Sequence, residues 1–328
     1  FFIYNAMGQS PPGCENPVTH GVWFRYDNTS GCDLNVTFAT CNSFTDFDTV
    51  LDLFDACGGN LLDSDDNGCG DGIGRSSISR DVPKGESVWV RLYSEPDIEG
   101  LYDMRATSVA LSTQHVSTAQ GLIDAINCAN EQPDTNTIIL DADITLTAVD
   151  HVSAGANGLP AVITPIIIEG QGYTIERSGA APVFRLFLVD GGGDLTLNEV
   201  TLRNGATDPT VNSIQRRGGA IRVGNGHVTV TDSIIADNNG VLGGGGLALQ
   251  GSVSSATLDG ALMTGNVALN SGSGGAINAL FGGTLIVRNS IIAGNQCSFS
   301  GGAIGMEHAN CQTTITNTII TGNRGGGS

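Results

Sequence analysis

Three groupings of residues have the types and spacing to do chemistry. The richest is DSDDNGCGD at 63–71. There Asp63, Asp65, Asp66 and Asp71, with Asp48 upstream, offer carboxylate oxygens to a hard cation. Calcium takes roughly six to eight such ligands, so Ca2+ is the cofactor this stretch suggests. The second is GNGHVTVTD at 224–232, where His227 and Asp232, with Asp237 beyond, are types that hold and pass a proton. The third is QRRGGAIR at 215–222, which clusters Arg216, Arg217 and Arg222.

Each grouping has a plainer reading. Asp63, Asp65, Asn67 and Gly68 follow the first half of an EF-hand loop, but the twelfth position is Gly74 and no helical pattern flanks it. An acidic turn pinned by disulfides competes with the calcium reading. The 224–232 stretch is similar to the Gly-His pair of β-helix pectin-degrading hydrolases. Those enzymes also need clustered Asp residues on neighbouring coils, and no such pair precedes His227. Asp232 falls where later repeats carry Asn289 and Asn317, which marks a turn. β-Helix lyases set a basic residue beside acidic groups, yet no acidic trio accompanies Arg222. Arg216 and Arg217 read as turn caps or partners of an acidic surface. Glu307 and His308 read as an exposed pair in a loop insertion, and Trp23 and Trp89 as sandwich core.

Composition narrows the partners. The chain of 328 residues carries 33 Asp and Glu against 14 Lys and Arg, a net charge of -19, with Lys84 its sole lysine. Nucleic-acid binding needs a positive footprint and is not expected. No apolar run is long enough for a transmembrane segment. The opening FFIYNAMGQS lacks an initiator Met and reads as a processed or trimmed start. Eight cysteines without a CxxC pair point to disulfides in an oxidising, extracellular or cell-surface setting. Proximity suggests Cys32–Cys41, Cys57–Cys69 and Cys297–Cys311, leaving Cys14 and Cys128 to tie the two halves.

The elements that would position these groups are written as repeats. GGAI recurs at 218–221, 274–277 and 301–304, with GGGL at 244–247 as a softer copy. Aligning Asn204, Asn238, Asn266, Asn295 and Asn323 gives steps of 34, 28, 29 and 28 residues. Such a period signals a solenoid. Each unit holds three short β-branched pieces, as in GGAIRV, HVTVTD and SIIADN, each bounded by Gly, Asn or Asp. Three strands per turn predict a right-handed parallel β-helix, with glycines at sharp turns and the repeated Asn as left-handed turn and amide ladder. Upstream, STAQGLIDAINCANEQP predicts a capping helix over about 117–131. Ser117 or Thr118 is its N-cap, Leu122, Ile123, Ile126 and Ala129 its apolar face, and Pro133 its stop.

On the GGAI and recurring-Asn motifs, 115–328 resembles bacterial surface proteins with polymorphic-outer-membrane-protein-type repeats and interchangeable C-terminal anchors. The resemblance implies a β-helix passenger, adhesin or fibre; some relatives of the fold cleave polysaccharides.

Residues 1–110 have another texture. GVWFRYDN, CDLNVTFATC, TDFDTVLDLFDAC, SSISRDV and ESVWVRLYS alternate and are split by turns, which predicts an antiparallel, jelly-roll-like β-sandwich. On GVWFRY, FDTVLDLFDACGGNLLDSDDNGCG and VWVRLYS the stretch resembles the bacterial pre-peptidase C-terminal domain family. That resemblance implies an accessory binding or spacer module, often calcium-linked. The family carries a further strand before FFIYNAMGQSPPGC, so FFIY reads as a strand that seeks a partner.

The expected fold is all-β, a sandwich over 1–110 followed by a β-helix over 111–328. The leading expectation is a non-enzymatic structural or adhesive surface protein. Its last unit, TIITGNRGGGS, shows no cap, so head-to-tail self-association through FFIY or the first domain is expected. A lyase or hydrolase of acidic polysaccharides and a calcium-dependent cell-surface glycan binder are the alternatives. Asn28-Thr29-Ser30 and Asn35-Val36-Thr37 are N-glycosylation triplets, unmodified in most bacterial settings.

Overall fold

The computed structural model describes residues 2–4, 14, 21–94, 100–210, 213–270 and 272–326. It divides into two compact units, Phe1–Leu111 and Ser112–Ser328.

The first unit is built of antiparallel sheets. One has five strands in the order Phe2–Tyr4, Val22–Asp27, Ser87–Tyr93, Val50–Phe54, Leu61–Asp65. The other has three, Ser77–Val82, Leu34–Ala39, Arg105–Ala110. Period-two alternation sends Phe24, Val36, Phe38, Leu51, Leu53 and Val90 into the core. Trp23 is buried, as expected, while Trp89 is half-buried. Trp23 lies opposite Arg91 in register, and Phe24 opposite Val90. Trp23 and Trp89 therefore share the face of the sheet turned away from Phe24 and Val90. Arg91 stacks on Trp23 and Arg25 on Trp89. The partner expected for FFIY is also internal, because Phe2–Tyr4 pairs with Trp23–Arg25 of the same unit.

The disulfides differ from proximity. Cys14 pairs with Cys57, and Cys41 with Cys69. Cys32 and Cys128 are each disulfide-bonded, while Cys297 and Cys311 are free thiols. The reason is strand length. Cys32 and Cys41 flank the strand 34–39, which at about 3.3 Å per residue holds their backbones some 25–30 Å apart. Cys57 sits at the hairpin turn and Cys69 beyond the far end of strand 61–65. Strand 304–306 lies between Cys297 and Cys311 in the chain.

The second unit is a parallel β-solenoid entered through one helix, Ala119–Asn130. Thr118 is its N-cap, its Oγ1 accepting from the Gly121 N–H at 3.0 Å. The helix buries Leu122, Ala125, Ile126 and Ala129 against the first coils. Asn130 ties its end down, donating to Ala161 O and accepting from Ile163 N–H.

Each regular coil has three longer strands and one two-residue strand. The first face stacks eight strands from Thr113–Val116 to Gln312–Thr316, and the second stacks seven from Ile144–Leu146 to Ile319–Thr321. A third face of five runs from Phe187–Val189 to Ile304–Met306. Identical register makes continuous columns: Leu197, Val230, Leu258 and Val287 on the first face, and Leu202, Ile235, Met263 and Ile292 on the second. All eight are buried, which is the hydrophobic driving force for stacking.

The two glycines of each GGA motif serve different needs. The first, Gly218, Gly244, Gly274 or Gly301, has φ between 54° and 70°. The second, Gly219, Gly245, Gly275 or Gly302, is where a Cβ would run into the backbone of the next coil. The left-handed conformation favours glycine at the first position, and the close backbone requires it at the second.

The asparagine alignment holds from Asn238 onward and slips by one before it. Leu202 is in register with Ile235, so Gly205, not Asn204, matches Asn238. The left-handed residue is the one before the ladder position: Asn204, Asp237, Gly265, Gly294 and Gly322 all have φ near 60°. Asn204 is thus a turn residue, and the repeating Asn forms the amide ladder.

Candidate functional site

The sequence candidates in the solenoid do not converge. His227 lies on the first face, with Nδ1 2.7 Å from Ser255 Oγ and Nε2 3.0 Å from Thr229 Oγ1. Both ring nitrogens are occupied by neighbours in the sheet. Asp232 occupies the exposed corner after that strand with φ 46°, the conformation also taken by Asn289 and Asn317. Asp237 holds the corresponding left-handed corner after the second face.

Arg222 is on the third face and 7 % exposed. Its Nε donates to Gln250 Oε1, while its Nη1 and Gln250 Nε2 are buried without a hydrogen-bond partner. Burial lowers the Arg222 pKa, and nearby Asp190 partly offsets this. The Asp190 carboxylate is itself taken up by the turn, accepting from the Gly191 and Asn225 N–H groups. Arg222, His227 and Asp232 therefore occupy two faces and a corner.

The acidic turn of the first unit is also dispersed. Asp65 accepts from the Gly68 and Ser77 N–H groups, both at 2.8 Å. Asp71 accepts from Ile73 N–H at 2.9 Å and pairs with Arg75 at 2.5 Å; the Ile73 bond first, then Arg75, holds its carboxyl below the usual range. Asp63 accepts from Ser64 N–H. Asp48 keeps one oxygen enclosed and unpartnered. Burial, then the charge of Asp66, pushes its carboxyl up. Asp48 feels the charge of Asp66, whereas Asp63, Asp65 and Asp71 accept from nearby N–H groups. Among the described residues no three His, Cys, Asp or Glu side chains gather as a metal-holding group.

The structure shows polar clusters that the sequence reading missed. Arg185 is fully buried, and burial, with the nearby Arg222 charge, pushes its pKa down to about 9. No carboxylate compensates it. Its five N–H groups instead go to Gly218 O, Ala154 O, Asn157 Oδ1, Gln215 O and Arg217 O at 2.9–3.2 Å. That uses the whole guanidinium fork. A lone Arg inside the apolar FRLFLV was the signal.

Arg217, expected as a turn cap or as a partner of acidic groups, pairs with an acidic residue and forms a strap. Its Nη1 donates to Leu242 O, Asn278 Oδ1 and Glu307 Oε1, and its Nη2 to Glu307 Oε2. Glu307 and His308 are both exposed, as expected; Glu307 is paired with Arg217, and the His308 ring packs on Phe281. A buried amide ladder runs alongside: Asn238, Asn266 and Asn295 each donate from Nδ2 to the Oδ1 of the next Asn, at 2.9–3.0 Å, ending at Asn323. Hydroxyls make a shorter version, with Ser233 and Ser290 accepting from Val200 and Ala261 N–H one coil back.

No helix among the described residues is long and apolar enough to cross a membrane. No protein-family model, curated protein or solved structure matches this chain.

Proposed function

We propose that the chain is a structural or adhesive module of a secreted or surface-displayed protein, with the solenoid as its stiff part. The observation that carries this reading is the buried amide ladder from Asn238 to Asn323, in which polar side chains lock coil to coil. The strap from Arg217 to Glu307 acts in the same sense. His227 and Arg222, the groups that would serve a polysaccharide lyase or hydrolase, are likewise engaged in bonds between coils. Six oxidised cysteines are compatible with an extracellular location.

A cell-surface glycan and a second copy of the chain are the partners that suit this role. In the last described coil, Ile315 and Ile320 are exposed, where their column neighbours Val287 and Ile292 are buried.

The test is to incubate the full chain with polyuronates and insoluble neutral polysaccharides, measuring both product release and retention, and to sediment it across a concentration series. Retention or concentration-dependent growth without product is expected. Product release that is lost in folded Arg222→Ala or His227→Ala would overturn the reading.

A further inference from the structure

The two glycosylation triplets are treated differently by the fold. Asn28 is 2 % exposed. Its Nδ2 gives both hydrogens away, to Cys32 O at 2.8 Å and Val82 O at 2.9 Å, and its Oδ1 accepts from Ser30 N–H. An amide carrying a sugar keeps one N–H, so substitution would break one of these bonds. It would also force a sugar ring into a buried turn.

Asn35 lies on the central strand of the three-stranded sheet, half-buried among residues that alternate with the buried Leu34, Val36 and Phe38. Its Nδ2 gives one hydrogen to Asp81 Oδ1 at 2.7 Å, and the other has no acceptor among the described residues. Thr37, the third residue of the triplet, shares its face and meets Ser79 at 2.7 Å. An open surface depression of about 410 Å³, lined by Asn35, Ser79, Arg80 and Asp81, stands beside the free N–H.

We propose that Asn35, and not Asn28, accepts an N-linked glycan when the chain passes a glycosylating enzyme during secretion. The donor is an oligosaccharide on a polyprenyl pyrophosphate. Asn35 Nδ2 forms a bond to the anomeric carbon, the anomeric C–O bond to pyrophosphate breaks, and one Nδ2 proton passes to a base on the transferase. The substituted amide retains one N–H, so a bond to Asp81 remains possible without a change in the sheet. Asn28 acts instead as a structural clamp on the turn at 28–32.

The experiment secretes the full chain, behind a secretion signal, from a glycosylating eukaryotic host. Site occupancy is read by peptide mapping after amidase release in heavy-oxygen water. Asn35 is expected to be occupied and Asn28 empty in the secreted protein. Asn35→Gln and Thr37→Ala are each expected to remove the glycan and leave the melting transition in place. A glycan on Asn28 in secreted protein, or an unmodified Asn35, overturns the proposal.

Discussion

Arg217 and Glu307 stand 90 residues apart in the chain and meet as a two-point ion pair, at 2.6 Å and 3.1 Å. Asn278, from a coil between them, bonds to both. The strap crosses four coils and adds long-range contact to a fold whose other contacts run mainly between neighbours. Both side chains retain some exposure, 14 % and 29 %, so solvent moderates the pair. Glu307→Gln is expected to lower the stability of the second unit by about 1 kcal/mol, and Arg217→Met by about 2 kcal/mol. A double-mutant cycle in urea unfolding checks the coupling, and strict additivity would show that the strap does not act as a unit.

The amide ladder should be less forgiving. Asn266 is fully buried, donates to Ile235 O and Asn295 Oδ1, and accepts from Asn238. Asn266→Ala is expected to cost about 2–4 kcal/mol by orphaning groups on both adjacent coils. Asn266→Asp is expected to be worse, because a charge would face two acceptor oxygens. Chemical denaturation of the three proteins ranks them.

Glycines with and without neighbours should separate cleanly. At Gly275 a Cβ would run into the carbonyl of Gly302, whereas at Gly294 the nearest atom lies at 3.7 Å. Gly294 is left-handed with φ 69°, so Asn is expected there at a cost below about 1 kcal/mol. Gly275→Ala is expected to exceed about 3 kcal/mol, since backbone must move. Melting temperatures of the two variants measure the contrast.

Asp48 should show the opposite pH sign to most carboxylates. Its folded pKa is raised above 3.8, so the protonated form suits the fold. That favourable contribution is complete below the unfolded pKa and is lost as pH rises through the folded one. Asp48→Asn is therefore expected to raise the melting temperature at pH 7 in chelator, and to make no difference near pH 3. Asp71, held low by Ile73 and Arg75, behaves conversely: its contribution is present above the unfolded pKa and disappears as pH falls through the folded value. Melts of Asp71→Asn across the acid range follow that loss.

Thiol titration of the oxidised protein in denaturant is expected to count two groups, Cys297 and Cys311. In the folded state Cys311, half-buried, is expected to label before Cys297, which is buried with its Sγ on Ser300 O. Labelling of any of Cys14, Cys41, Cys57 or Cys69 without reductant would contradict the pairing.

The solenoid was legible because Val228, Val230 and Ile235 repeat their apolar spacing in every unit, and stacking demands that repetition. The one-residue slip at Asn204 arose because Asn suits both a left-handed turn and an amide ladder, and letters alone do not separate the two. Arg185 was not legible, since the carbonyls that satisfy it come from 154–157 and 215–218 and meet only in three dimensions. The cysteine pairs failed for a related reason: an extended strand carries sequence neighbours such as Cys32 and Cys41 apart. Asp232 as a turn residue was readable, because its counterparts Asn289 and Asn317 share its conformational tolerance. The free N–H of Asn35 was not, because hydrogen-bond saturation depends on Asp81 from another strand.

The constant step between ladder asparagines, 28, 29 and 28 residues from Asn238 to Asn323, has a genetic corollary. Excising one step brings together backbone ends that already lie about 4.8 Å apart, one strand spacing. Tandem coding segments are the substrate of unequal recombination, and its products here would differ by whole rungs while keeping every junction in frame with the stack. Length in this protein is thus an inheritable variable that can drift without asking the fold to be reinvented.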